Sequence, residues 1–175
     1  DKIKQVVNPR VGEIMFGLNL VVHKGKTIFV ADTSVHEYPT SEQMSEMAIS
    51  TARVVRLFGF DPKVAFVSHS TFGQPVTSRT KHIRKAVDIL KEKKVDFEFD
   101  GDMQPDVALN EEYKSLYPFS KIVGNANILI MPGQHSAAIS YKMMKTLGDT
   151  KVIGPLLVGL GLPIEIAPLR SSTSE

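Results

Sequence analysis

Hydrophobic and polar positions alternate along the chain in blocks that predict strands and helices in turn. Ile14 to Val22 and Thr27 to Asp32 are two apolar runs around Lys24-Gly25-Lys26, the pattern of adjacent strands in a hairpin. A loop from Thr33 to Pro39 leads into Thr40-Ser41-Glu42-Gln43, where a hydroxyl N-cap is followed three residues later by glutamine, a capping box. Met44, Met47, Ala48, Thr51, Val54, Val55 and Phe58 then recur at helical spacing and predict one buried face, with Gly59 at the C-terminal cap. Lys63 to Ser68 is a short apolar strand that changes abruptly into a polar loop, His69 to Thr80. Ile83, Ala86, Val87 and Leu90 mark the next helix, and its closing Lys91-Glu92-Lys93-Lys94 suits the negative end of a helix dipole. A strand at Phe97 to Asp100, a helix within Asp106 to Leu116 and a strand at Asn127 to Met131 follow. A last helix, Ser136 to Leu147, is expected to bury Ile139, Met143 and Leu147, with Met143-Met144 in the core. Val152 to Pro163 is apolar and rich in glycine, and periodicity leaves it open between a buried strand and a packing loop.

This alternation predicts an α/β/α sandwich with a mostly parallel sheet, its parallel strands joined by right-handed crossovers. The 175 residues suit one domain, and a 42% hydrophobic, 23% charged composition is that of an ordinary globular protein. A formal charge of +2 lacks the imbalance of a nucleic-acid binder, so no nucleic-acid partner is expected. The absence of Cys excludes disulfides, thiolate zinc sites and cysteine nucleophiles. No apolar run reaches the ~20 residues that a membrane span needs, so a cytoplasmic protein without a membrane partner is expected. The chain opens on Asp1-Lys2-Ile3-Lys4, and Ser171-Ser172-Thr173-Ser174-Glu175 has the chemistry of a helix start with no helix after it. Both ends fit a piece of a longer chain.

Ligands of α/β sheets bind at the carboxyl ends of the strands, which selects Ser68 to Arg79, Asp100 to Asp106 and Pro132 to Ser136. The first stretch offers many hydroxyls, the freedom of Gly73, and Arg79 just before a helix, a setting for a phosphate or carboxylate. It lacks the Gly-Lys-Ser/Thr ending of a P-loop. Asp100, Asp102 and Asp106 cluster three carboxylates without calcium-loop spacing, so turn chemistry and capping by Asp106 explain them better than a metal. The five histidines lie in separate segments without zinc spacing, and His69 or His135 would serve more readily as a structural or surface group than as a base. Ser68 lacks the Gly-x-Ser-x-Gly setting of a hydrolase nucleophile.

Several strings taken together resemble one family. They are Ala31-Asp32 with Pro39-Thr40-x-x-Gln43, Lys63 to Gly73, Asp100-Gly101-Asp102-Met103-Gln104-Pro105-Asp106-Val107-Ala108, Asn125 to Pro132, and Ile153 to Leu160. In this order, over nearly the whole chain, they are similar to the phosphate acetyl/butyryl transferases. The resemblance implies a phosphotransacetylase-like fold, akin to the isocitrate/isopropylmalate dehydrogenases, with a coenzyme A ester in a cleft between two parts. Residues 1–175 would be one fragment covering most of the second part.

Two branches share the strings: free phosphotransacetylases, and the phosphotransacetylase-like C-terminal region of bacterial NADP-dependent malic enzyme. Phe16 to Leu20, His135 to Ser140 and Leu169 to Glu175 look like the malic-enzyme branch. That branch implies a regulatory acetyl-CoA site and a homo-oligomer, with NADP and a divalent metal (Mg or Mn) held by other domains and no cofactor in this fragment. Transferases resemble Ser-Thr-x-Gly-Ser in the polar loop and Ser-Arg-Gly near the C-terminus. Here Ser70, Thr71 and Gly73 match while Gln74 replaces the last Ser, and Arg170 matches while Leu169 and Ser171 flank it. Ser70, Thr71, Gly73, Arg79 and Arg170 are therefore the candidate contacts for acetyl-CoA or a related acyl-CoA, without a catalytic assignment. A catalytic phosphate acetyltransferase and a purely structural dimerisation domain are the alternatives.

Overall fold

The computed structural model describes residues 7–167. Strand β1 (Phe16–His23) turns through Lys24 and Gly25, both at positive φ, into β2 (Lys26–Ala31). Leu18 faces Ala31 and His23 faces Lys26 across this antiparallel hairpin, the two-residue connection that matches strand twist. Helix α1 (Ser41–Leu57) follows, then β3 (Lys63–Val67), α2 (Ser78–Lys93) and β4 (Glu98–Met103). The short helices α3 (Pro105–Leu109) and α4 (Glu111–Lys114) lead to β5 (Ile128–Ile130), α5 (Gln134–Leu147), β6 (Thr150–Val158) and β7 (Ile164–Glu165).

The seven strands form one sheet in the order β4-β3-β5-β2-β1-β6-β7. Pairs β4–β3, β3–β5 and β5–β2 are parallel, while β1 and β7 run against their neighbours, so five of the seven strands point the same way. The chain moves outward from β2 to β3 and β4 through α1 and α2. It then returns to β5 and crosses to β6 through α3, α4 and α5. Opposite directions of travel put right-handed crossovers on opposite faces, which is why helices cover both.

Side chains of the inner strands divide between the two faces with period two. Phe29, Ala31, Val64, Phe66, Ile128 and Ile130 pack with α1 and α2, and Val30, Ala65, Val67 and Leu129 pack on the α3 and α5 side. Helix α1 starts as its sequence predicts: Thr40 Oγ1 accepts from Gln43 N, and the Gln43 side chain returns a bond to Thr40 N. It ends where Gly59, at φ +83°, lets Gly59 N reach Arg56 O and Phe60 N reach Val55 O, a Schellman closure. Met44, Met47, Ala48, Thr51 and Val55 are buried, whereas Val54 is only partly covered and Phe58 is exposed beyond the last turn.

Four expectations need correction. Helix α5 buries Ala137 fully and packs Tyr141 and Met144, while Ile139, Met143 and Leu147 lie on its exposed face. The helix carries two apolar stripes, and the sheet takes the one offset by two residues. The Asp100–Asp102 segment belongs to the end of β4 and is not a turn, because it pairs in parallel with β3, and both aspartates are buried. Asp106 is no cap either: it lies inside α3 behind Pro105 at the first helical position, and its carboxylate bonds Val107 N. The predicted helix within 106–116 is two short ones, broken at Asn110, whose extended backbone caps α4. Val152 to Pro163 resolves into most of β6 and the buried Leu160 before β7.

Candidate functional site

At the carboxyl ends of β2, β3 and β5 the connections part. The first two lead to α1 and α2 on one face, and β5 leads to α5 on the other. Such a switch point opens a crevice in an α/β sheet. A cleft of about 570 Å³ lies there, lined by Val67 and Ser68 from the end of β3 and by Met131 and Pro132 from the end of β5. Arg79 and Ile83 of α2, and His135, Ser136 and Ser140 of α5, form its sides.

Its remaining wall, Glu37 and Tyr38, is held in place by Asp32. That carboxylate follows β2 directly, is fully buried, and gathers five kinds of donor: Gly17 N at 2.9 Å, Ser34 N at 2.8 Å, Val35 N at 3.1 Å, His36 N at 2.7 Å and His36 Nδ1 at 2.7 Å. Burial pushes its pKa up, but the bonds from the His36 ring and from Ser34, Gly17 and His36 N–H outweigh burial and hold it below the ordinary value. The loop wrapped around Asp32 is then tied to the start of α5. Gln134 N donates to His36 O at 2.9 Å, His135 Nε2 stands 3.2 Å from Glu37 Oε1, and a Cβ at Gly133 would collide with the Glu37 carbonyl. Tyr38 in turn carries the Arg79 guanidinium 5.0 Å above its ring, a cation–π contact at the cleft edge.

The two helices that open onto the cleft differ at their N-termini. Thr77 and Thr80 close α2 with a reciprocal capping box, whereas α5 begins at Gly133 with no side-chain cap. An uncapped first turn on a helix of 14 residues, beside Arg79 and two histidines, suits an oxyanion. The rest of the lining is largely apolar, with room for an extended apolar chain.

The sequence candidates separate in space. Arg79 lines the cleft, together with Ser68, His69, His135 and Ser136. Ser70, Thr71 and Gly73 lie in the same loop but are turned to other tasks. The Ser70 hydroxyl bonds Asp102, Thr71 Oγ1 accepts from Gln104 N at 3.2 Å, and Gly73 lies at φ +82° under Arg84. Arg170, with its neighbours Leu169 and Ser171 and the tail to Glu175, lies outside the described residues, as do Asp1 to Lys4. Glu37, Tyr38 and the Asp32 hub escape residue-level reading because loop 33–39 has no motif. The one signal is a single acidic residue placed directly after an apolar strand. Among the described residues no group of three His, Asp or Glu side chains is placed to hold a metal ion.

Comparison with known proteins agrees with this fold. Residues 2–175 match the family model described as Phosphate acetyl/butaryl transferase. The NADP-dependent malic enzyme of Rhizobium meliloti (strain 1021) is 42% identical over 175 residues, all of this chain and 23% of that protein. The phosphate acetyltransferase of Clostridium acetobutylicum is 36% identical over 139 residues, 78% of this chain and 42% of that protein. Among solved structures, a phosphotransacetylase from Streptococcus pyogenes superposes with a TM-score of 0.90 at 30% identity, over 97% of this chain and 53% of the other. The chain thus spans about a quarter of the malic enzyme and about half of the solved transferase.

Proposed function

The chain belongs to the phosphate acetyl/butaryl transferase family, and on that premise we propose that it is the acetyl-CoA-sensing, oligomer-forming region of an NADP-dependent malic enzyme. The observation that carries the proposal is the 42% identity to such an enzyme over every residue of this chain. In this reading the whole protein oxidatively decarboxylates malate to pyruvate, with NADP and a divalent metal held in other domains. The present region supplies an effector cleft and contacts between subunits.

The chemistry of the cleft supports an acyl-CoA effector. The thioester and pantetheine are apolar or neutral and suit the lining at Val67, Ile83, Met131 and Pro132. The phosphates are oxyanions and suit Arg79 and the uncapped start of α5. Binding that favours one global state of the protein changes malate turnover by linkage between the two sites. Transfer chemistry would further need donors aimed at the charge developing on the thioester carbonyl. Gln74 stands in this loop where the transferase pattern has Ser, and its exposed side chain replaces the short hydroxyl that pattern supplies. Titrating acetyl-CoA into the complete protein while malate oxidation is followed tests the reading. A saturable change in rate is expected, and a rate indifferent to saturating acetyl-CoA overturns it.

A second reading, a working phosphate acetyltransferase, draws on the superposition with the Streptococcus pyogenes phosphotransacetylase and on the retained Ser70-Thr71-x-Gly73. It differs in one outcome: thiol release from acetyl-CoA and phosphate in the absence of malate.

A further inference from the structure

Residues 70–74 are gripped from two sides by opposite charges, and we infer that Asp102 and Arg84 act as a positioning pair that fixes this loop for ligand binding. The assignment of the ligand rests on the acyl-CoA reading above; the clamp itself does not.

Asp102 is the penultimate residue of β4 and is completely buried. One carboxylate oxygen takes the Ser70 hydroxyl, and its backbone carbonyl takes Phe72 N at 2.7 Å. Next to it, Gln104 N donates to Thr71 Oγ1 at 3.2 Å. Three successive loop residues are thereby bonded to the end of one strand. Gly73 is held differently, because Arg84, on the second turn of α2, covers it. A methyl group built at Gly73 would lie 2.5 Å from Arg84 Nη1 and 3.2 Å from its Cζ, so the guanidinium fills the space that only glycine leaves.

The other Asp102 oxygen, Oδ1, is buried and accepts no hydrogen bond among the described residues. A bare carboxylate oxygen out of water is costly unless an opposite charge stands near. Arg84 Nε is 3.7 Å away, near enough for attraction across the loop and too far for a hydrogen bond. The pair pulls together through the segment it encloses. Arg79 stacks on Tyr38 at the cleft, whereas Arg84 holds the loop behind it, so the two arginines of α2 have separate tasks. Arg84 acts through the loop and is a positioning residue.

The test uses the complete protein with Arg84→Ala, Asp102→Asn and both together. Amide hydrogen exchange of residues 70–74 is read without ligand, and acetyl-CoA affinity is read by calorimetry. Arg84→Ala is expected to speed loop exchange roughly tenfold beyond any rise the α2 core amides show, with a lowered melting temperature because the buried Asp102 loses its counter-charge. It is also expected to weaken acetyl-CoA roughly tenfold, with the double variant no weaker than the worse single one because the pair acts as a unit. Unchanged loop exchange in Arg84→Ala, or affinity losses that multiply in the double variant, overturns the inference. Arg84 is half-exposed, so its variant carries the test even where Asp102→Asn does not fold. A wild-type protein that ignores acetyl-CoA, combined with faster loop exchange in Arg84→Ala, retires the acyl-CoA reading and leaves the clamp standing.

Discussion

Asp32 shows how one buried charge organises a wall of the cleft. Its carboxylate replaces lost water with N–H donors from both the β1 start and the loop it anchors, so removing it strands several buried donors at once. Asp32→Asn keeps the shape but turns one acceptor into a donor facing donors, and a loss of about 3–5 kcal/mol at neutral pH is expected in urea unfolding. The pH dependence has a definite sign. The folded carboxyl lies below its unfolded value, so its contribution is complete above that unfolded value and disappears as pH falls through the lowered folded one. Wild type and Asp32→Asn therefore converge in stability only below about pH 4. A gap that stays constant down to pH 2 would sink this assignment. Gly17→Ala should act on the same hub, since its methyl would lie 2.5 Å from Ser34 Oγ.

Among the elements, legibility follows how strongly one face of each is demanded by the core. Helix α2 has one apolar stripe, Ile83, Ala86, Val87 and Leu90, and all four residues are buried as their spacing predicts. Helix α5 has two, Ile139-Met143-Leu147 and Ala137-Tyr141-Met144, and periodicity alone does not say which one meets the sheet. The small Ala137 settles it, because it lets the helix approach the strands where Ile139 would hold it off. A mutation series in the 175-residue chain makes the distinction measurable. Ile83→Ala should cost about 2–5 kcal/mol, and Ile139→Ala or Leu147→Ala less than about 0.5 kcal/mol. Equal losses at Ile83 and Ile139 would mean that α5 is rotated from its described position. Thr40→Ala, which removes the box at the start of α1, should cost about 1 kcal/mol in the same denaturation experiment. The β4 end was harder to read, since Asp-Gly-Asp has turn composition. Its strand identity comes from parallel pairing with β3, Ala65 facing Asp100 and Phe66 facing Gly101.

For the whole molecule, strand order could not be read from the chain, yet it decides where the cleft lies. Alternating elements predict the α/β/α layers, and the strand-end rule picks out the loops after β3 and β5. Only the order β4-β3-β5-β2 makes them neighbours across a switch point. Hydroxyls in the loop after β3 drew attention to Ser70 and Thr71, whereas the fold spends those side chains on holding the loop and presents Ser68, His69 and Arg79 to the cleft. Composition cannot distinguish a hydroxyl that lines a cleft from one that bonds Asp102.

As proposed, the cleft binds an acyl-CoA and senses it without turning it over. One preparation of the complete protein, given acetyl-CoA and phosphate, should be followed at once for heat of binding and for released thiol. Saturable binding, weakened by Arg79→Ala, with thiol release no faster than in buffer is the expected result. Steady thiol release, or no binding at all, would contradict it.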